Sequence, residues 1–255
     1  MLTYLAVTPA QVHTAQRWCH ALAHVAYSIG SGSRLLRNSL LVQTRGGLLA
    51  LTDHDAPPIE DPGALCAAAL RECSRRGYSG VLADFEDPPT PDRQAFLGQL
   101  SPLLRRNRRS LFVPQAYGVP GAVPVLCTAL SGGNFQEFLS QAVSSSPLPA
   151  LDVERVRMDF PLPAPSGEGT PLSREAFQQL VEQKQPSIFY APELCAKYFT
   201  YTEGDKGHFV LFDDASTLRE KLRLAAKVGI SVAFFQFPEV EDLLEELFSP
   251  QRDPG

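Results

Sequence analysis

The chain has 255 residues, 44% of them hydrophobic and 20% charged, a size and composition typical of one large globular domain or two small ones. A formal net charge of −5 excludes the whole-chain basic character of many nucleic-acid-binding proteins. No apolar run is long enough to cross a membrane, and the N-terminal stretch MLTYLAVTPAQ lacks the charged region of a signal peptide. We therefore expect a cytoplasmic protein with neither a nucleic-acid nor a membrane partner.

Short apolar segments alternate with helical patterns along the chain. The segment 40–54 predicts a hairpin around Gly46–Gly47 whose second arm continues as a core strand. Asp61 and Pro62 predict the start of a helix that ends at Gly77. The other predicted strands are 3–7, 24–29, 80–86, 110–118, 153–160, 187–191, 208–214 and 230–237. The other predicted helices are 9–22, 91–107, 134–143, 173–183, 216–229 and 240–248.

Strict alternation of strands and helices predicts parallel strands joined by crossover helices. About eight such units in 255 residues indicate an α/β fold, a single (β/α)8 TIM barrel over residues 1–255 with a small β-hairpin insertion near the N-terminal third. A doubly wound open sheet is the alternative. The stretch GSGS at 30–33 follows a strand but does not match the GxGxxG pattern of a nucleotide site.

Two carboxylates end the predicted strand GVLADFE. Asp84 and Glu86 are two residues apart, so they share one face of the strand, at the carboxyl end where barrel active sites lie. Two acids about 6–7 Å apart shift each other's pKa values, so that one is ionised while the other can hold a proton near neutral pH. This arrangement suits a general acid and its assistant. The alternative is a strand end whose acids form structural salt bridges.

This strand also carries a family resemblance. GYSGVLADFE resembles the strand-four signature DGxDxDxE of glycoside hydrolase family 18, the chitinase-like barrels: Gly80, Asp84 and Glu86 match, whereas Ser79 and Leu82 replace the two earlier acids. The shorter G…DFE form is most similar to the spore-cortex peptidoglycan N-acetylglucosaminidase branch. The segment 197–235 is similar to the end of that branch.

The resemblance implies retaining, substrate-assisted hydrolysis of an N-acetylglucosamine-containing glycan, either peptidoglycan or a chitin-like polymer, and is compatible with association with a spore. Glu86 would then be the general acid/base, and Asp84 would orient the substrate's acetamido group, which itself attacks the anomeric carbon. No cofactor or metal is implied. Two positions depart from the family. Strand six of the family carries a Tyr-Asp pair, whereas RVRMDF at 155–160 has Met158 beside Asp159. Strand eight of the family ends with a tryptophan, whereas this chain has Phe234 or Phe235 there.

Further residues at the carboxyl ends of the predicted strands are candidate substrate contacts. Tyr27, Gln115, Tyr117 and Tyr190 follow or end predicted strands, and with Asp159 and Phe234 they complete the predicted binding set. A tyrosine in such a position is more often a packed side chain with a satisfied hydroxyl, and a loop contact is the alternative for Gln115. A non-catalytic barrel that binds a glycan or a protein partner is the alternative function. The sequence does not predict an oligomeric state.

Metal and disulfide chemistry have weak support in the sequence. Asp53 and Asp55, in TDHD at 52–55, allow a third interpretation as a metal-dependent barrel hydrolase, but adjacent residues of a strand point to opposite faces. The five cysteines are widely spaced and form no CxxC motif, which favours free thiols.

Overall fold

The structure is a computed structural model that describes residues 1–38, 45–144, 148–163 and 167–249. The strands are β1 (Leu2–Val7), β2 (Leu22–Gly30), β3 (Arg34–Arg37), β4 (Leu48–Thr52), β5 (Gly80–Asp84), β6 (Ser110–Pro114), β7 (Val123–Cys127), β8 (Ala150–Asp152), β9 (Arg157–Leu162), β10 (Thr170–Pro171), β11 (Phe189–Ala191), β12 (Ala196–Glu203), β13 (Lys206–Phe212) and β14 (Val232–Gln236). The helices are α1 (Val12–Ala15), α2 (Pro62–Arg76), α3 (Pro91–Arg106), α4 (Phe135–Ala142), α5 (Arg174–Lys184), α6 (Ala215–Lys227), α7 (Phe237–Val240) and α8 (Leu244–Phe248). Among these described helices, none combines the length and apolar character needed to cross a bilayer.

Eight parallel strands close into a barrel, which confirms the predicted (β/α)8 architecture. The strand order is β1-β14-β8-β7-β6-β5-β4-β2, and pairing of β1 with β2 closes the ring. Side chains fill the barrel interior: Tyr4, Phe112 and Phe234 are buried there, with the Phe234 ring stacked on Tyr4 at 5.4 Å and edge-on to Phe112 at 5.1 Å. The barrel is therefore a packed core whose chemistry lies at its mouth.

The sixth and seventh barrel strands differ from the prediction. They are β7 and β8, whereas the predicted strands 153–160 and 187–191 belong to a second sheet. Between β6 and β7 the chain makes a 3-10 turn, Gln115–Tyr117, and has no helix, so the alternation of strand and helix breaks there. The three-residue β8 is too short to give a periodic pattern.

A small β-hairpin lies in the N-terminal third, as predicted, but at earlier positions than the segment 40–54. The antiparallel pair is β2 with β3, outside the barrel ring, and its turn contains Gly32 and Ser33, both with positive φ. The first arm of the hairpin predicted at 40–54 lies largely outside the described residues. Gly46 and Gly47 also have positive φ, but they lead into β4, whose described partners β2 and β5 are both parallel to it.

A five-stranded antiparallel sheet is inserted between the seventh and eighth barrel strands. Its order is β10-β9-β13-β12-β11. Helix α5 covers one face, where Phe177 packs on Phe199 and Phe212. The sheet meets the barrel through a buried ion pair in which Lys221 Nζ lies 2.7 Å from Asp213 Oδ2. The insertion thus borders the barrel mouth next to the ends of β7 and β8.

Candidate active site

A cleft of 710 Å³ opens at the carboxyl ends of the barrel strands. The ends of β5, β6, β7, β8 and β14 all contribute to it, as expected for the catalytic face of this fold. Its lining residues are Leu82, Asp84, Phe85, Glu86, Pro114, Val125, Cys127, Asp152, Glu154, Phe234, Gln236, Pro238 and Glu239. The two carboxylates predicted from strand four therefore share a single concave site.

Asp84 is the last residue of β5 and is mostly buried in the cleft. Burial raises the pKa of its carboxyl to about 6, and the nearby Glu86 and Asp53 charges add to the increase. Gln236, at the end of β14, opposes the shift by donating from Nε2 to Asp84 Oδ1 at 3.4 Å. Asp84 thus changes its charge close to neutral pH.

Glu86 lies two residues beyond the strand, with its side chain exposed in the cleft. Its backbone N–H donates to Asp53 Oδ1 at 3.0 Å. Asp53 is fully buried at the end of β4 and forms an ion pair with Arg93 of α3, with Asp53 Oδ2 3.0 Å from Arg93 Nε. Arg93 also lies 3.6 Å from the Asp87 carboxylate. These contacts fix the turn after β5 and thereby the position of Glu86.

A second pair of carboxylates faces the first across the cleft. Asp152 ends β8 and Glu154 follows two residues later, the same D-x-E spacing as in strand four. Burial raises the pKa of Asp152 to about 7, with further contributions from the charges of Glu154 and Asp84. This pair differs from the prediction of a single strand over residues 153–160, because β8 ends at Asp152 and β9 begins at Arg157. The stretch ALDVE, an apolar run that ends in D-x-E, is the signal that identifies it.

Cys127 completes this wall of the cleft. Its Sγ donates to Glu154 Oε2 at 2.9 Å. Burial raises the pKa of the thiol to about 12, and the hydrogen bond to Glu154 contributes to the increase. The thiol is therefore protonated near neutral pH and acts as a hydrogen-bond donor. A nucleophilic role is disfavoured, because it would require the thiolate.

The candidate metal ligands of TDHD have other partners. Asp53 is committed to Arg93 and to the Glu86 N–H, while the exposed His54 and Asp55 side chains lie 3.3 Å from each other. In the part of the chain that the structure describes, no group of three or more His, Cys, Asp or Glu side chains is placed to hold a metal ion. The acidic side chains that line the cleft are thus two pairs of carboxylates and Glu239.

Of the predicted substrate contacts, only Phe234 lines the cleft, and it is buried at the floor. Tyr27 lies on the outer wall of the barrel, where its hydroxyl donates to Glu72 of α2 at 2.9 Å. Gln115 is exposed in the turn after β6 and does not line the cleft. Tyr117 is buried, packs edge-on against Phe85 and donates to the Asp87 carbonyl at 3.2 Å. The structure thus corrects the predicted positions of Tyr27 and Tyr117, which pack beneath the barrel surface.

The remaining two predicted contacts lie in the inserted sheet. Asp159, in β9, accepts from the Tyr201 hydroxyl at 2.8 Å and lies 3.0 Å from His208 Nδ1. Tyr190, in β11, is 48% exposed and contacts Cys195 Sγ. Asp159 therefore does not occupy the end of the sixth barrel strand, where Cys127 stands instead.

Replacement of Asp152 by Asn should stabilise the protein at alkaline pH. A carboxyl whose pKa is raised on folding binds its proton more tightly in the folded state, so it costs stability as pH rises from about 4 to 7. The amide lacks this cost. We expect Asp152→Asn to raise the free energy of unfolding by about 2 kcal/mol at pH 8, after allowance for solvent in the cleft, and to have little effect at pH 4. Urea unfolding at both pH values measures the difference, and an equal effect at both would contradict the assignment.

Comparison with known proteins shows what the fold resembles. The chain is similar to the spore cortex-lytic enzyme SleL of Bacillus megaterium, with 15% identity, 98% of this chain and 74% of that chain covered, and a TM-score of 0.65. It is similar to a chitinase from Chromobacterium violaceum, with 16% identity, coverage of 98% and 99%, and a TM-score of 0.69. A class V chitinase from Nicotiana tobaccum, solved in complex with NAG4, has 10% identity, coverage of 97% and 99%, and a TM-score of 0.65.

No protein-family model matches the chain, and no curated protein matches it in sequence. The TM-scores of 0.65–0.69 establish the shared fold, and at identities of 10–16% they establish the fold alone. The barrel implied by the resemblance of GYSGVLADFE is thus confirmed, and the activity has to be argued from the site.

Proposed function

We propose that the chain is a retaining glycoside hydrolase that cleaves an N-acetylglucosamine-containing glycan by a substrate-assisted mechanism. The observation that carries the proposal is the position of Asp84 and Glu86 at the end of the fourth barrel strand, facing one open cleft. The fold that the chain shares with a spore cortex-lytic enzyme and two chitinases supports the proposal.

In this mechanism Glu86 is the general acid. Its side chain is exposed to the cleft, so it is accessible to the oxygen of a glycosidic bond bound there, and its backbone is held by Asp53. After protonating the leaving group, the same carboxylate accepts a proton from the water that completes the hydrolysis. An exposed acid on a fixed turn suits both steps.

Asp84 assists the substrate's own nucleophile. When ionised, it accepts a hydrogen bond from the acetamido N–H and stabilises the positive charge that develops as the acetamido oxygen attacks the anomeric carbon. Its raised pKa, about 6, limits this ionised form to pH values near neutrality and above. Gln236 holds the Asp84 carboxylate from across the barrel mouth.

The charge of the cleft bears on the substrate. Five lining residues carry carboxylates, whereas no described lining residue is a lysine or arginine. A neutral 2-acetamido sugar fits such a cleft better than a polyanion does. The charge of the cleft therefore favours runs of neutral N-acetylglucosamine, as in a chitin-like polymer. Peptidoglycan, in which N-acetylglucosamine alternates with a carboxylate-bearing sugar, is the second candidate substrate. Association with a spore is part of this proposal, supported by the similarity to spore cortex-lytic enzymes.

The second candidate function is a non-catalytic barrel that binds a glycan or a protein. The observation that favours it is the lack of exposed aromatic rings among the described cleft residues: Phe85 is 6% exposed and Phe234 1%. Sugar rings usually stack on accessible aromatic faces, so a glycan in this cleft would be held through polar contacts alone. Retention of both carboxylates favours catalysis.

A substrate comparison tests the proposal. We expect the protein to hydrolyse β-1,4-linked N-acetylglucosamine oligosaccharides and to leave glucose oligosaccharides of the same length and linkage intact, because only the former carry the acetamido nucleophile. Products are quantified by chromatography, with purified peptidoglycan as a further substrate. Equal cleavage of both oligosaccharides would contradict substrate assistance. Binding without cleavage of any of the three would support the non-catalytic barrel.

A further inference from the structure

A second concave site lies on the outer wall of the barrel, away from the cleft. It has a volume of 510 Å³ and sits between strand β3 of the hairpin and helix α2. Four arginines line it, Arg37 from β3 and Arg71, Arg75 and Arg76 from α2, and we call it the arginine pocket. A single carboxylate, Glu72, lies among them. Two separate elements of the fold thus bring four guanidinium groups to one cavity.

The positive charge of the arginine pocket exceeds what Glu72 neutralises. Glu72 pairs with Arg76 one helical turn away and accepts from the Tyr27 hydroxyl at 2.9 Å. Burial acts to raise the pKa of Glu72, but hydrogen bonds from Arg76 and Tyr27 outweigh it and lower the pKa, so Glu72 is ionised. With Glu72 engaged by Arg76 and Tyr27, the charges of Arg71 and Arg75 leave the cavity cationic, in a chain whose net charge is −5.

Arg71 and Arg75 have no internal partner in the described part of the chain, since neither takes part in a hydrogen bond or an ion pair there. Residues 39–44, SLLVQT, which follow β3 in sequence, contain no acidic side chain. The two arginines are four residues apart on α2, where like charges repel and weaken the helix. Their side chains are therefore available to an external anion.

A solvated, basic helix end is the simpler explanation, and it covers part of the pocket. Arg75 and Arg76 lie in the last turn of α2, where cations interact favourably with the helix dipole. Arg71 lies one turn earlier, and Arg37 is on a different element that faces the helix across the cavity. Helix stabilisation alone does not account for Arg71, whose exposed side chain lines the same cavity.

We propose that the arginine pocket binds a small molecule that carries a phosphate or pyrophosphate group. Guanidinium groups donate paired hydrogen bonds whose geometry matches phosphate oxygens, and several of them around one cavity suit a multiply charged anion. The site is separate from the carboxylate cleft, and the proposal does not depend on glycan hydrolysis.

Calorimetric titration with inorganic pyrophosphate at low ionic strength tests the site. The test variant is Arg71→Ala/Arg75→Ala, which removes two exposed side chains without disturbing the Glu72–Arg76 pair. The control is Arg105→Ala/Arg106→Ala, which removes two exposed arginines from the end of α3 and changes the net charge equally. Circular dichroism and thermal unfolding establish that both variants fold as the wild type does.

We expect saturable binding by the wild type and by the control, and at least about tenfold weaker binding by the test variant. Binding should weaken as salt is added, because the site lies at the surface. Absence of binding by the wild type at low salt would overturn the proposal. Equal losses in the test and control variants would also overturn it, since the attraction would then be to net charge and not to this pocket.

Discussion

Glu86→Gln should lower the turnover of an N-acetylglucosamine oligosaccharide by a factor of about 10²–10⁴, the usual contribution of a general acid. The amide retains the size of the side chain and cannot deliver the proton. Because Glu86 is exposed and its backbone, not its carboxylate, is anchored by Asp53, the substitution should leave the unfolding temperature unchanged. Steady-state hydrolysis by wild type and variant measures the effect.

The leaving group provides a sharper test of the same role. An aryl glycoside with a good leaving group needs little protonation, so Glu86→Gln should lose much less activity on it than on the natural linkage. Asp84→Asn should instead be impaired on both substrates, since the acetamido group attacks in each case. Similar losses by Glu86→Gln on both substrates would contradict its role as the acid.

Glu154→Gln is the matched control. Glu154 is also exposed in the cleft, two residues beyond a barrel strand, and undergoes the same chemical change. We expect it to keep turnover within about tenfold of wild type, because proton transfer is the role assigned to Glu86. If Glu154→Gln lost activity and Glu86→Gln kept it, the acid would belong to the end of β8 and not of β5.

The sequence predicted those parts of the fold whose signals are local. The start of α2 is confirmed by the Asp61 side chain, which accepts from the Ala64 N–H at 2.9 Å, and its end by Gly77, whose φ is 69°. Strand β5, the fourth of the barrel, is also confirmed. It was predictable because it is a continuous apolar run between a helix and a turn. Caps, turns and long apolar runs are properties of neighbouring residues, so they can be read without the fold.

The fold elements that were missed depend on partners far away in sequence. The apolar strands of the inserted sheet have the same local pattern as barrel strands, and only their pairing separates β9 and β13 from the ring. The catalytic candidates at the end of β5 were predictable because strand and acids lie together in sequence, whereas Asp152 required the short β8 to be recognised.

The position of Tyr27 was predicted wrongly because β2 changes register against β4 between Val25 and Tyr27. The neighbours Ala26 and Tyr27 therefore both pack towards the helices.

Lys221→Met should be the most destabilising single substitution among those considered, lowering the free energy of unfolding by about 3–5 kcal/mol. Lys221 and Asp213 are both fully buried, and Lys221 Nζ also donates to the Thr128 carbonyl at 3.3 Å. Asp213 further accepts from the Val156 N–H at 3.0 Å and the Thr217 hydroxyl at 2.8 Å. Removal of the ammonium leaves the buried Asp213 carboxyl without its cation, which is costly because a buried charge needs a partner.

The cost should come from the unpaired charge and not from the lost side chain. Lys221→Met/Asp213→Asn removes both charges and should recover part of the stability, while Lys227→Met, on the exposed face of the same helix, should change it by no more than about 0.5 kcal/mol. Urea unfolding of the three variants separates these contributions. A double variant less stable than Lys221→Met would mean that the pair is not coupled. Lys221 also contacts Thr128, the residue after Cys127 in the cleft wall. The Lys221–Asp213 pair, if coupled, would therefore connect the inserted sheet to the cleft wall that faces Asp84.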